Sequence, residues 1–159
     1  MKRFILTSLL VVTAMFAGSA TAAGIGAFGP DSLKQIERDH AGRHFLLVLW
    51  SVECQPCRRE LALLGHLYAD RPAGDLVLVA TDNIESRDLI IEILAQYHLG
   101  GVPAWAFAGQ AEERLRYRID PDWAGEMPRS YFYAPDSSRK GVSGRLEEAA
   151  VRDWLGMDN

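Results

Sequence analysis

The sequence predicts an α/β fold of three layers, a central mixed β-sheet with helices on both faces, and three observations predict it. Two short, continuously apolar runs, Phe45–Trp50 and Leu76–Ala80, read as strands buried on both sides. Each is followed by a longer stretch with helical spacing, the alternation that builds parallel strands joined by crossover helices. A last pair of short strand-like runs, split by a polar turn, adds antiparallel strands.

The elements follow in order. Residues 1–22 carry Lys2 and Arg3, an apolar stretch from Phe4 to Phe16, and small residues at Ala20-Thr21-Ala22. That is the pattern of a secretory signal peptide. Its apolar part is short for a membrane span, although the same segment left uncleaved would act as an anchor. Residues 23–30, GIGAFGP at their heart, are expected as a flexible lead-in, and residues 31–159 as the folded domain. Asp31 and Ser32 are placed to cap a helix through His40, with Leu33 and Ile36 on its inner side. His44–Ser51 is too continuously apolar to be half exposed and reads as a central strand. Pro56–Asp70 is a helix on Leu61, Leu64 and Tyr68, with Leu63 and Leu67 beside them. After the Leu76–Ala80 strand, Ser86–His98 is a helix built around Leu89, Ile90, Ile93, Leu94 and Tyr97, stopped by Gly100-Gly101. Val102–Ala108 is a short strand, Gln110–Ile119 a charged helix, and Pro121–Pro128 a loop. Ser130–Tyr133 and a strand around Val142 form the antiparallel pair. Leu146–Leu155 closes the domain, with Ala149, Ala150 and Trp154 turned inward.

Composition narrows the function. With 159 residues and 48% hydrophobic content, the chain can bury one real core without covalent help. Its net charge is −4, and losing residues 1–22 would remove two cations and no acid. There is no basic stripe to meet nucleic acid and no glycine-rich phosphate loop to meet a nucleotide. No cofactor is implied.

The two cysteines, Cys54 and Cys57, are the only ones, and they stand at the junction of strand and helix in Cys54-Gln55-Pro56-Cys57. Such a pair can cycle between dithiol and disulfide, share in a metal site, or form a static bridge. A structural zinc would want a second pair of ligands, and His40, His44, His66 and His98 are scattered. A bridge over two residues closes too small a loop to add much stability. Redox cycling needs one thiol that is exposed and ionises readily, and the mouth of a helix favours a thiolate. Cys54 therefore reads as the attacking nucleophile and Cys57, a turn inside, as the resolving thiol.

The apolar strand followed by Trp50-x-x-x-Cys54-x-Pro56-Cys57 resembles the thioredoxin superfamily. Cys57-Arg58-Arg59-Glu60 is similar to its TlpA/ResA-like branch of exported bacterial thiol–disulfide oxidoreductases, where a glutamate often stands three residues after the second cysteine. The resemblance runs from about Asp31 to Leu155. It implies a cis-proline close to the thiols, and Pro128 matches that position better than Pro103, because a strand, a turn and a closing helix follow it. It implies an inserted strand and helix before that proline, and the stretch from Asp82 to Met127 is far longer than the dozen or so residues one crossover needs. Gln55, Pro56 and Met127 are then expected to face the substrate, with the Met127 backbone free to pair with an extended peptide, while Trp50 either lines the site with them or packs in the core.

Three features depart from the pattern. Glu53 replaces the aromatic residue usual before the first cysteine and opposes ionisation of Cys54. An apolar Val48 stands where thioredoxin keeps a buried acid. Glu60 is left as the candidate proton acceptor, or else is a solvated acid in the first helical turn. Arg58 and Arg59 either favour thiolates or belong to a solvated face. The signal-like segment places the protein, expected as a monomer, most simply in the bacterial periplasm; the resemblance implies that it reduces protein disulfides, which there needs electrons from a membrane donor. Apocytochrome c or copper-site proteins are implied as clients. An oxidant or isomerase, a copper- or zinc-binding module on the same thiols, and a binding protein with vestigial exchange remain the alternatives.

Overall fold

A computed structural model describes residues 24–157; the expected signal segment lies outside them. Six strands form one mixed sheet in the order β1-β4-β3-β2-β5-β6. The strands are β1 (Gly26–Phe28), β2 (Phe45–Trp50), β3 (Leu76–Asn83), β4 (Ala104–Phe107), β5 (Arg129–Tyr133) and β6 (Arg139–Ser143). β1, β4, β3 and β2 run parallel, while β5 and β6 are antiparallel. Five α-helices are described: α1 (Ser32–Asp39), α2 (Gln55–Leu67), α3 (Arg87–Gln96), α4 (Glu112–Ile119) and α5 (Glu148–Trp154).

The period-2 geometry of strands sorts the side chains into two cores. Leu46, Val48 and Trp50 of β2 face one side with Leu76, Leu78 and Ala80 of β3, under α2, α3 and Val151 of α5. Phe45, Leu47, Leu49, Val77 and Val79 face the other, with Ile36 of α1 and Leu115 and Ile119 of α4. All six residues of β2 are buried, so the strand that leads to the cysteines lies at the buried centre of the sheet. α2 and α3 come together at Gly65, where an added Cβ would collide with the carbonyl oxygen of Tyr97.

Four expectations are corrected. Gly24–Pro30 is not merely a lead-in, because Gly26–Phe28 pairs with β4 as an edge strand. Gly26 is required there by contact rather than by flexibility, since a Cβ would lie 2.7 Å from the Trp105 ring. Asp31 stands at the start of α1 without a capping bond from its side chain; Ser32 turns back instead and accepts from the Gly29 N–H at 2.9 Å. Leu89 is 46% exposed, and α3 seats Ile90, Ile93 and Leu94. In α5 the inward residue is Val151, with Trp154 half-buried, while Ala149 and Ala150 face out.

The inserted strand and helix are β4 and α4. β4 lies between β1 and β3. At the end of α4, Asp120 accepts from Arg129 Nη2 at 2.8 Å and from the Tyr131 hydroxyl at 2.9 Å. Arg139 of β6 donates to the Ile119 carbonyl and lies 4.7 Å from the Tyr131 ring centre. The insert is thereby tied to β5 and β6.

Candidate functional site

The site forms where β2 and β3 end and β5 begins. Trp50 pairs with Ala80 on one side, and the antiparallel register that sets Leu49 opposite Arg129 brings Pro128 beside it on the other. The Met127–Pro128 peptide is cis, as the sequence led us to expect. Pro128 is buried and Met127 half-buried, touching both cores.

From β2 the chain leaves the sheet in a turn closed by the Cys54 N–H donating to the Ser51 carbonyl at 3.2 Å. Cys54 is the N-cap of α2 in an extended conformation, and Pro56 sits in the first turn, where its missing N–H costs nothing. Cys54 and Cys57 form a disulfide, with their Cα atoms 5.2 Å apart. Cys54 is half-buried and Cys57 fully buried, while Gln55 and Pro56 between them are exposed. The Cys57 N–H points at Cys54 Sγ, 3.2 Å away. A thiolate at Cys54 would find there an otherwise unpaired helix N–H and the positive end of the helix dipole.

Glu60 follows Cys57 by three residues, on the same side of α2. It is 2% exposed, which rules out a solvated acid. Its Oε1 accepts from the Ser130 hydroxyl on β5 and its Oε2 from the Leu146 N–H ahead of α5, both at 2.9 Å. Burial pushes its carboxyl above the usual 4.5, against the pull of those two bonds and of the Arg145 charge. A buried carboxyl held above its usual range next to a thiol pair is a candidate proton acceptor and donor for them.

Trp50 does not face a partner: it is 1% exposed and packs in the core beneath α2. Arg58 reaches back, and its Nη2 donates to the Val52 carbonyl at 3.0 Å; Arg59 is exposed. Glu53 is exposed beside Cys54. Among the described residues, no cluster of three His, Cys, Asp or Glu side chains is arranged to hold a metal.

Sequence reading missed two participants. Ser130 is a lone hydroxyl on the helix-facing side of β5, and nothing local links it to Glu60, 70 residues earlier. Asp82 lies just past the apolar part of β3, and its Oδ2 accepts from the Val52 N–H at 2.9 Å. Burial raises its carboxyl too, as does the charge of Glu53, against the Val52 bond and the Arg58 charge. The only signal for it was an acid at the carboxyl end of a strand adjacent to β2, where ligand-facing groups of open α/β sheets gather.

A central strand ending in a two-cysteine helix mouth, with a cis-proline across the sheet from it, defines a thioredoxin-fold protein. No family model matches the chain. Thiol-disulfide oxidoreductase ResA of Oceanobacillus iheyensis is 26% identical over 146 residues, covering 84% of this chain and 68% of that protein. A thioredoxin-related protein from Neisseria meningitidis serogroup B superposes with a TM-score of 0.57 at 24% identity, covering 74% of this chain and 84% of its own. A secreted Mycobacterium tuberculosis disulfide oxidoreductase, homologous to DsbE of E. coli, gives 0.55 at 15% identity, with 76% and 85% covered. The structural likenesses establish the fold. In sequence the chain is similar to this ResA-type thiol–disulfide oxidoreductase, the branch its cysteine motif resembles.

Proposed function

We propose that this protein is an exported thiol–disulfide oxidoreductase that acts chiefly as a reductant of protein disulfides. In the reduced form the Cys54 thiolate attacks one sulfur of a client disulfide. The client's other sulfur leaves and takes up a proton, and Cys54 is held in a mixed disulfide. Cys57 then gives its proton to the Glu60 carboxylate and attacks Cys54 Sγ. The client's second sulfur departs, and the Cys54–Cys57 disulfide closes. Two electrons pass from the protein to the client, and the client gains two protons. A donor dithiol must restore the starting state, and in an oxidising periplasm that means electrons delivered through the membrane.

One observation carries the reading: a half-exposed sulfur at a helix mouth is bonded to a fully buried one, with a buried carboxyl one turn further on. Gln55, Pro56 and the Met127 backbone are the surfaces offered to a client peptide, and Pro128 shapes that groove. The leaning toward reduction has its own support. A pair is strongly oxidising when the reduced form is stabilised, chiefly through a low thiol pKa. Here Glu53 stands next to Cys54 and the Asp82 carboxylate lies against Val52, and both oppose a thiolate.

The test is trapping. Cys57→Ser should accumulate covalent complexes with exported client proteins through Cys54, released by added dithiol, and Cys54→Ser should accumulate none. Equal capture by Cys54→Ser would reverse the two roles. Failure of the wild-type protein to reduce insulin disulfides would remove the activity altogether.

A further inference from the structure

We propose that Asp82 is a positioning residue for the attacking sulfur: together with Arg58 it grips Val52 from both sides and so fixes the turn that presents Cys54. The sheet itself gives that turn no support. β2 stops at Trp50, so the Val52 N–H lies beyond the last ladder pair. β3 continues past that point, and its register with β4 slips between Ala80, opposite Ala106, and Asn83, opposite Phe107. Thr81 and Asp82 are therefore extra residues on β3, and an irregularity of this kind re-aims a side chain. Asp82 is aimed at the turn, where its Oδ2 accepts from the Val52 N–H at 2.9 Å. Arg58, in the first turn of α2, donates to the Val52 carbonyl at 3.0 Å. The Arg58 N–H also donates to the Cys54 carbonyl at 3.3 Å. Residues 51–54 thus hang between an acid on the sheet and an arginine on the helix.

Hydrogen bonds to charged groups are the stronger kind, and an unpaired half-buried carboxylate would be costly, so the grip is both firm and mutual. The charged groups acting on Asp82 are Glu53, which repels it, and Arg58, which offsets it. Its effect on Cys54 therefore has two separable parts. Its charge opposes the thiolate, while its hydrogen bond places the sulfur.

The inference rests on Cys54 being the attacking thiol, and the experiment keeps the two apart. Reduced full-length protein is alkylated with iodoacetamide across a pH series, and its single-turnover reduction of insulin is measured above the midpoint of that profile. Asp82→Asn keeps an acceptor for the Val52 N–H, so its midpoint should fall while its plateau rate stays within about twofold of wild type. Asp82→Ala loses both parts, so its midpoint should fall and its plateau should drop by up to about 100-fold, the scale expected when a reacting group is misplaced by about 1 Å. Arg58→Met, which releases the other side of Val52, should lower the plateau while moving the midpoint up, and it decides the matter if Asp82→Ala does not fold. A wild-type plateau in Asp82→Ala or Arg58→Met, or an Asp82→Asn plateau as low as that of Asp82→Ala, overturns the inference. Labelling of Cys57 instead of Cys54 in the wild type overturns the reading beneath it.

Discussion

Glu60 shows how one side chain serves stability and chemistry in opposite senses. Its two acceptor oxygens are matched to one hydroxyl and one backbone N–H, so its removal leaves both donors buried and unpaired. Glu60→Ala should cost about 2–3 kcal/mol of unfolding free energy, the scale for orphaned buried donors together with a small cavity. Glu60→Gln keeps the shape: its amide oxygen accepts from Leu146 N–H, and its amide nitrogen donates to Ser130, whose hydroxyl rotates to receive it. The two proteins should then differ in pH dependence. Burial raises the folded carboxyl above 4.5, so the contribution of the protonated acid is fully present below that value and is lost as pH rises through the raised one. Denaturant midpoints should show Glu60→Gln gaining on wild type as pH rises above 4.5. A constant difference across that range would mean that Glu60 titrates like an exposed acid. The same substitution should flatten the pH dependence of client release if Glu60 accepts the Cys57 proton.

Among the elements, α4 is seated by only two buried apolar residues, Leu115 and Ile119, and is tied to the sheet at its end. Asp120 binds Arg129 and Tyr131 of β5, and that joint secures the strand that follows Pro128. Burial works against its ionisation, yet the bonds from Tyr131 and Arg129 outweigh it and hold the carboxyl below its usual range. A depressed carboxyl contributes stability above its unfolded value, and that contribution is lost as pH falls through the folded one. Asp120→Asn should therefore be less stable than wild type at neutral pH, by about 1–2 kcal/mol, with the gap closing in acid; thermal unfolding at the two pH values would show it. The Asp120 joint was not legible in the sequence, where residues 110–119 were only a charged helical stretch. What could be read were elements whose pattern is local and strong: the apolar run of β2, the spacing of α2, the cysteine pair and the proline before β5. β1 escaped because glycine reads as a turn signal, whereas Gly26 is there to let the Trp105 ring close in. Leu89 misled in the opposite direction, since spacing marks the apolar side of a helix but not how far the sheet beneath it extends. Asp82 and Ser130 escaped because each acquires its role only when distant strands are brought together.

At the scale of the molecule, redox and folding are one cycle. The folded pair can be oxidised or reduced, and so can the same pair in the unfolded chain. The difference between the two folded stabilities must equal the difference between the two potentials, with about 1.4 kcal/mol for every 30 mV. An oxidant has a stabilised dithiol and is firmer when reduced. This protein has the helix mouth and the Cys57 N–H favouring the Cys54 thiolate, and Glu53 and Asp82 opposing it. Glu60, buried against Ser130 and Leu146, disfavours a second negative charge at Cys57. The acids therefore withhold from the reduced form the thiolate stabilisation that marks an oxidant, and the oxidised form should be at least as stable as the reduced one at neutral pH. Guanidinium unfolding of the two forms, the reduced one under excess dithiol, measures the gap directly, and the slopes should agree because both expose the same core. Replacing Glu53 with glutamine should narrow it by easing ionisation of Cys54. If the reduced form proves the firmer, electrons flow toward this protein rather than from it, and its role becomes that of an oxidant with the same two sulfurs.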